Sequence, residues 1–397
     1  MTYKKTIIII SIFIILFAIG AVLYFLTAPS KEAAEQEVSP SIFPFAKEPA
    51  EQPGISQPEE ITPLSPATSP QAQILTRLSE NAVAGAAFKD NKIRYAERAT
   101  GHVYEIAPDG QSRVRISNTT IPKVFNVIWS YDKDYAVIQY LETDENSGQN
   151  IIQNFAAFFT GSSTQGILLP KNIISLATAP TENGLLYFIP YADANILIRA
   201  SFENTNQKQV AATPFSEFKV FWPSQKFAAL LSKPASFADG FLYKVNIAAG
   251  GLEKILGNIK GLNALWSPNA DKLLFSKAGG ENPSLSMLDL KTGKSASLDL
   301  RTLAEKCAWS ALEKDTIYCG QPIELPKGDY PEIWYQGLVT FNDRAVRKNC
   351  ATGEMTILNL PEHDNFDIIN LFLSDDEGYL FFTNKKDGSL WSLELVR

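Results

Sequence analysis

From about Gln73 onward, short apolar runs alternate with polar turns, and the helical spacing of apolar residues is scarce. The clearest instance is Leu262 to Lys277, LNALWSPNADKLLFSK. An apolar run enters Trp266, a polar turn covers Asn269–Lys272, and a second apolar run occupies Leu273 to Phe275. This pattern predicts a β-hairpin. In the same unit, Ser284 to Leu290 and Ser295 to Leu300 read as a third and fourth strand, joined through Thr292-Gly293. Asp109-Gly110, Gly250-Gly251 and Thr352-Gly353 are similar turn pairs, supplying the positive φ that tight hairpins require.

The unit repeats. Aligned on the position of Trp266, copies fall at Phe88, Trp129, Thr178, Trp222, Trp266, Trp309 and Leu373, at intervals of 41, 49, 44, 44, 43 and 64 residues. One residue before this anchor every copy is apolar, from Ala87 to Phe372, and two before it every copy is also buried in character. Three before it stand Gly85, Asn126, Ser175, Lys219, Asn263, Lys306 and Asn370, none of them bulky and apolar. A strand buried on both faces along its middle and wet at its start produces this order. Units of 40–50 residues with four strands each predict the blades of a β-propeller. The fold class expected is therefore all-β, a seven-bladed β-propeller over residues 73–397. The last interval is long, so the sixth unit is expected to carry an insertion, roughly Gln321 to Gly337. The seventh unit shows only three strands, and Ile74 to Ser79 is expected to supply the fourth, closing the ring and removing its edges.

The segment Trp266-Ser267-Pro268-Asn269-Ala270-Asp271-Lys272 with its following apolar strand resembles the WD40-like repeat of the TolB type, whose blades open with W-S-P-D-G-K. Trp129-Ser130 and Trp309-Ser310 keep the first half, while Trp222-Pro223-Ser224 and Thr178-Ala179-Pro180 are degenerate. The paired Gly-His and Trp-Asp signature of ordinary WD40 repeats is absent: Gly-His occurs once, at Gly101-His102, and Trp-Asp nowhere. TolB-type domains are usually six-bladed, so seven units here argue against carrying over that family's envelope partners. The resemblance implies blade architecture and not an activity.

The N-terminal part is of another kind. Residues 7–27 form an almost unbroken apolar run preceded by Lys4 and Lys5. Its length suits a membrane-spanning helix of roughly 20 residues better than the shorter core of a signal peptide. The positive-inside rule then predicts a cytoplasmic N-terminus and an extracytoplasmic remainder, with residues 1–28 as cytoplasmic end and signal anchor. Cleavage near Thr27-Ala28 is the alternative. Residues 29–72 are rich in proline and glutamate; over 29–71 seven glutamates face Lys31 and Lys47. Such a composition buries too little apolar surface to offset chain entropy, so a disordered tether is expected.

Charge and composition narrow the function. A net charge of −7 excludes the clustered basic stripe of a nucleic-acid surface, so no nucleic-acid partner is expected. There is no G-x-S-x-G elbow of the kind found in propeller-capped serine peptidases. Two histidines and three cysteines, at no recognised ligand spacing, predict no metal and no cofactor. The acidic turn Ser374–Gly378 lacks the alternating ligands of a calcium loop.

Three sets of residues remain. Asn126, Lys219, Asn263, Lys306 and Asn370 either line one mouth of the axial channel, where a sugar, peptide or anion binds, or are solvated strand starts. In the insertion, Tyr330, Trp334 and Tyr335 either form a binding surface or fold back over their own blade. Cys307 and Cys319 bracket the sixth hairpin and come opposite each other if its turn centres on Glu313-Lys314, which predicts a disulfide in an oxidising compartment; two small core side chains are the other reading. The function expected is a membrane-anchored, non-catalytic scaffold, not an enzyme, that holds a protein or cell-envelope polymer. An envelope enzyme acting on glycans at the propeller mouth is the alternative.

Overall fold

The computed structural model describes residues 73–145, 148–160, 163–278, 282–360 and 365–395. They form a seven-bladed β-propeller: seven antiparallel sheets of four strands each. Blades 1 to 6 take their strands consecutively along the chain. Their inner strands are Val83–Lys89, Val124–Trp129, Ser175–Thr178, Phe218–Ser224, Asn263–Trp266 and Cys307–Trp309. Blade 7 opens with Ile368–Leu373 and takes its fourth strand, Leu75–Arg77, from the other end of the domain, with Leu75 opposite Leu393 and Arg77 opposite Trp391. The inner strand of blade 1 lies beside those of blades 2 and 7, so the ring is closed. The apolar run 7–27 and the stretch 29–72 lie outside the described residues. Among the described residues no helix is long and apolar enough to cross a membrane.

The repeat pattern has a simple physical cause. Leu273 and Leu274 are consecutive and both 0% exposed. Leu273 packs with Ala229, Leu231 and Trp266 toward blade 4, and Leu274 packs with Leu285, Cys307 and Ile317 toward blade 6. A strand covered by neighbouring blades on both faces reads as an unbroken apolar run, not an alternating one. This sandwiching is the source of most of the domain's hydrophobic stabilisation, at roughly 1.5–3 kcal/mol for each large side chain buried.

The serine of the Trp-Ser-Pro motif staples the first hairpin. Ser267 Oγ donates to Asp271 Oδ1 (2.9 Å) and accepts the Lys272 N–H (2.9 Å). Ser130 repeats the arrangement with Asp132 and the Tyr135 N–H, and Ser374 with Asp376 and the Tyr379 N–H. The motif therefore fixes a turn. The second strand of blade 5 begins one residue earlier than the apolar pattern predicts and runs longer, Lys272–Lys277.

At the start of the inner strand, blades 1, 2 and 7 carry a register shift, between Val83 and Gly85, Val124 and Asn126, and Ile369 and Phe372. Such a bulge re-aims the strand as it enters the ring. Gly85 belongs to this close approach: a Cβ there would lie 2.5 Å from the Val127 carbonyl oxygen.

Candidate functional site

The widest departure from the repeat is the loop between the second and third strands of blade 6, Thr316–Pro322 and Asp343–Asn349. It contains one short helix, Glu332–Tyr335. Four contacts tie this helix across four blades. Glu332 Oε1 accepts the Ser236 N–H (2.6 Å) and hydroxyl (3.1 Å) from blade 4. The Tyr335 hydroxyl accepts from Asn263 Nδ2 of blade 5 (3.0 Å) and donates to Glu305 Oε1 at the start of blade 6 (2.5 Å). Lys385 of blade 7 donates to the Trp334 carbonyl (2.8 Å).

Beneath the helix lies a buried ionic cluster. Lys306 is 0% exposed and spends all three ammonium hydrogens on Asp343 Oδ2 (2.8 Å), Asp367 Oδ1 (2.6 Å) and the Ile368 carbonyl (2.9 Å). Asp367 Oδ2 accepts from Trp334 Nε1 (2.8 Å) and the Phe341 N–H (3.1 Å). The Trp334 and Phe341 rings stack at 8° and both face the Lys306 ammonium. Burial pushes the Asp343 carboxyl up to about 6, against the opposing pull of Lys306. Its Oδ1 has no hydrogen-bond partner.

The polar residues expected at the mouth therefore separate. Lys219, Asn263 and Asn370 line two adjoining clefts of about 510 and 410 Å³, which share Lys219, Glu305 and Tyr335. Trp334 and Lys385 complete the second cleft, and Glu217 and Lys233 the first. Lys306 does not line the mouth. It is sealed in the ion cluster, because the 3₁₀ turn Ala304–Lys306 directs its side chain under the insertion. Asn126 is not among the cleft residues either; it donates to Gln139, which donates to Asn154, forming a polar ladder across blade 2. Of the insertion's rings, Tyr330 and Trp334 are buried in a small core that the insertion makes with Leu303, Ala278 of blade 5 and Ile369 of blade 7, rather than on their own blade. Tyr335 alone stays open to solvent, 42% exposed, while its hydroxyl is held by Asn263 and Glu305.

Sequence reasoning gave Glu305 no binding role and missed Lys385. Glu305 sits beside an alignment position and Lys385 in the turn that follows Tyr379–Asn384, the second strand of blade 7, which is where their signal lay. Burial raises the Tyr335 hydroxyl far above the ordinary phenol range, and the nearby Glu305 carboxylate adds to this. Burial also lowers the Lys385 ammonium, partly offset by Asp367. Lys219 and Lys385 make no ion pair among the described residues, and Lys219 lies over the Phe221 ring. The cleft thus presents two unneutralised cations, a carboxylate and a phenol that stays protonated. On the wall of the second cleft, Cys307 faces Cys319 in register and the two are joined, S–S 2.13 Å. Burial pushes the Cys350 thiol up to about 12, which keeps it from acting as a thiolate nucleophile.

No family model matches the chain, and no curated protein matches it in sequence. Similar solved structures exist. An oligogalacturonate lyase from Vibrio parahaemolyticus superposes with a TM-score of 0.55 at 11% identity, covering 81% of this chain and 94% of that one. A chain of a mitotic checkpoint complex superposes with a TM-score of 0.52 at 11% identity, covering 86% and 97%. These likenesses show the propeller fold. They also correct the expectation that the chain is not an enzyme. The same ring is the fold of a lyase, so a missing hydrolase motif does not make this a non-catalytic module.

Proposed function

We propose that this propeller is a glycan-acting enzyme whose mouth cleft receives an acidic sugar chain. The observation that carries the reading is the Tyr335 hydroxyl, held between Asn263 and Glu305 in clefts that also present Lys219 and Lys385. Two unpaired ammonium groups suit the carboxylate of a uronate. With that charge offset, the hydrogen on the carbon next to the carboxylate becomes acidic enough to remove. Glu305 takes that proton, the ring carbon–carbon double bond forms, and the bond to the glycosidic oxygen breaks as Tyr335 supplies its proton. The existing hydrogen bond between the two side chains returns the proton from Glu305 to Tyr335. A phenol kept protonated by burial does not serve as the base; as an acid it acts only once the bond to the glycosidic oxygen has largely broken and that oxygen has become strongly basic.

Residues 7–27 and the tether 29–72 would hold such a domain outside the cell membrane, where envelope polymers are met. The Cys307–Cys319 disulfide supports an oxidising compartment. The hairpins that resemble TolB-type blades serve here as scaffold. The test is to incubate the full-length protein with oligogalacturonate and follow the ultraviolet absorbance of the unsaturated product. Absorbance should rise with the native protein and fall by about two orders of magnitude or more in Tyr335→Phe and Glu305→Gln. Acidic oligosaccharide that binds without product would remove the catalytic part, and absence of binding would remove the whole reading.

A further inference from the structure

A second concavity lies at the root of the insertion, away from the residues of the mouth cleft. It has a volume of about 580 Å³ and is lined by the polar residues Asn282, Arg301, Gln321, Glu324 and Arg344 and the apolar residues Pro322, Ile323 and Leu325. A volume of this size lies within the range of small-molecule sites. Two of its polar groups lack what their chemistry demands, and a third, Arg301, is exposed and free to bind. Arg344 Nε is buried and donates to nothing, Gln321 Oε1 is buried and accepts from nothing, and Arg301 makes no ion pair among the described residues. Glu324 does not neutralise either guanidinium: it forms no ion pair with them, although it lines the same space. Arg344 stands directly opposite Gln321 in the sheet, so the missing acceptor and the missing donor are neighbours. Asp343, next to Arg344 on the same strand, turns its side chain to the opposite face, toward Lys306, and so does not serve them.

We infer that this cavity is a binding site for a small carboxylate that also carries a hydroxyl. The two guanidinium groups supply the planar, forked donors that a carboxylate accepts, and Gln321 Oε1 accepts from a hydroxyl on the same molecule. A uronate sugar and a short hydroxy acid share this chemistry. The site takes the ligand class proposed for the mouth but uses none of the mouth's residues.

The experiment modifies arginines in the full-length protein with phenylglyoxal and reads each site by peptide mass spectrometry, with galacturonate, lactate, galactose or inorganic phosphate present. Galacturonate should slow modification of Arg301 and Arg344 several-fold, and neutral galactose should not. Protection by lactate alone keeps the hydroxy-carboxylate site and assigns it to a short acid. In Arg344→Gln, protection of Arg301 should need about tenfold more galacturonate, the loss expected when a charge-assisted pair is removed. In Lys219→Gln the protection should be unchanged, so a failure of the mouth reading leaves this site standing. Modification at the same rate with every additive, equal protection by galactose, or phosphate matching galacturonate would each overturn the assignment.

Discussion

Glu305 and Lys306 are neighbours in the chain and opposites in the structure. Glu305 lines the mouth and takes the Tyr335 proton donor, whereas Lys306 is sealed with Asp343 and Asp367. One ionisable residue was put to use at a surface and the next was spent on holding the insertion in place. The difference lies in what completes each charge. Lys306 has its three donors matched inside the protein, so it has nothing left for a ligand. The cations that share the cleft with Glu305, Lys219 and Lys385, form no ion pair among the described residues, and the acidic ligand we propose would bind there.

Several changes would break or sharpen this contrast. The largest effect is expected for Lys306→Met, which leaves two buried carboxylates without their cation and should cost about 3–5 kcal/mol in a denaturant melt. A loss under about 1 kcal/mol would mean that the cluster is not closed to water. Next comes the covalent link beside it. Replacing Cys307 and Cys319 together with alanine should cost about 2–4 kcal/mol, with the loosening concentrated near Glu305 in hydrogen exchange.

A third change acts through pH. Asp343 titrates near 6 in the folded protein and near 3.9 in the unfolded chain. Between those values the folded state holds the extra proton, so this group's contribution to stability is present below about pH 4 and is lost as pH rises to about 6. Asp343→Asn should remove that falling limb, about 3 kcal/mol, from the stability profile. An unchanged profile would show that Asp343 stays ionised throughout. The smallest stability effect belongs to Tyr335→Phe, about 1 kcal/mol, because the ring is partly solvated. Its effect on turnover should be far larger, and that split separates a residue placed for chemistry from one placed for packing.

The amino-acid pattern alone determined the ring. Seven anchors, apolar runs covered on both faces, Trp-Ser-Pro hairpins and a spare strand, expected over Ile74 to Ser79 and found at Leu75–Arg77, leave one way to bury the apolar surface without an open edge. Periodicity carries that information because each blade meets the same two neighbours. The site was less legible. Aligned positions told which residues begin an inner strand, and Lys219, Asn263 and Asn370 line two adjoining clefts. Position did not tell that Lys306 would turn inward, since that depends on Asp343 and Asp367, 37 and 61 residues away. Nor did it tell that Tyr330 and Trp334 would be covered while Tyr335 remained open. The insertion has no repeat to follow, so its docking across blades 4 to 7 is set by individual hydrogen bonds. Only the folded chain brings those partners within reach, and the tertiary structure alone decided which charges were spent and which were left for a ligand.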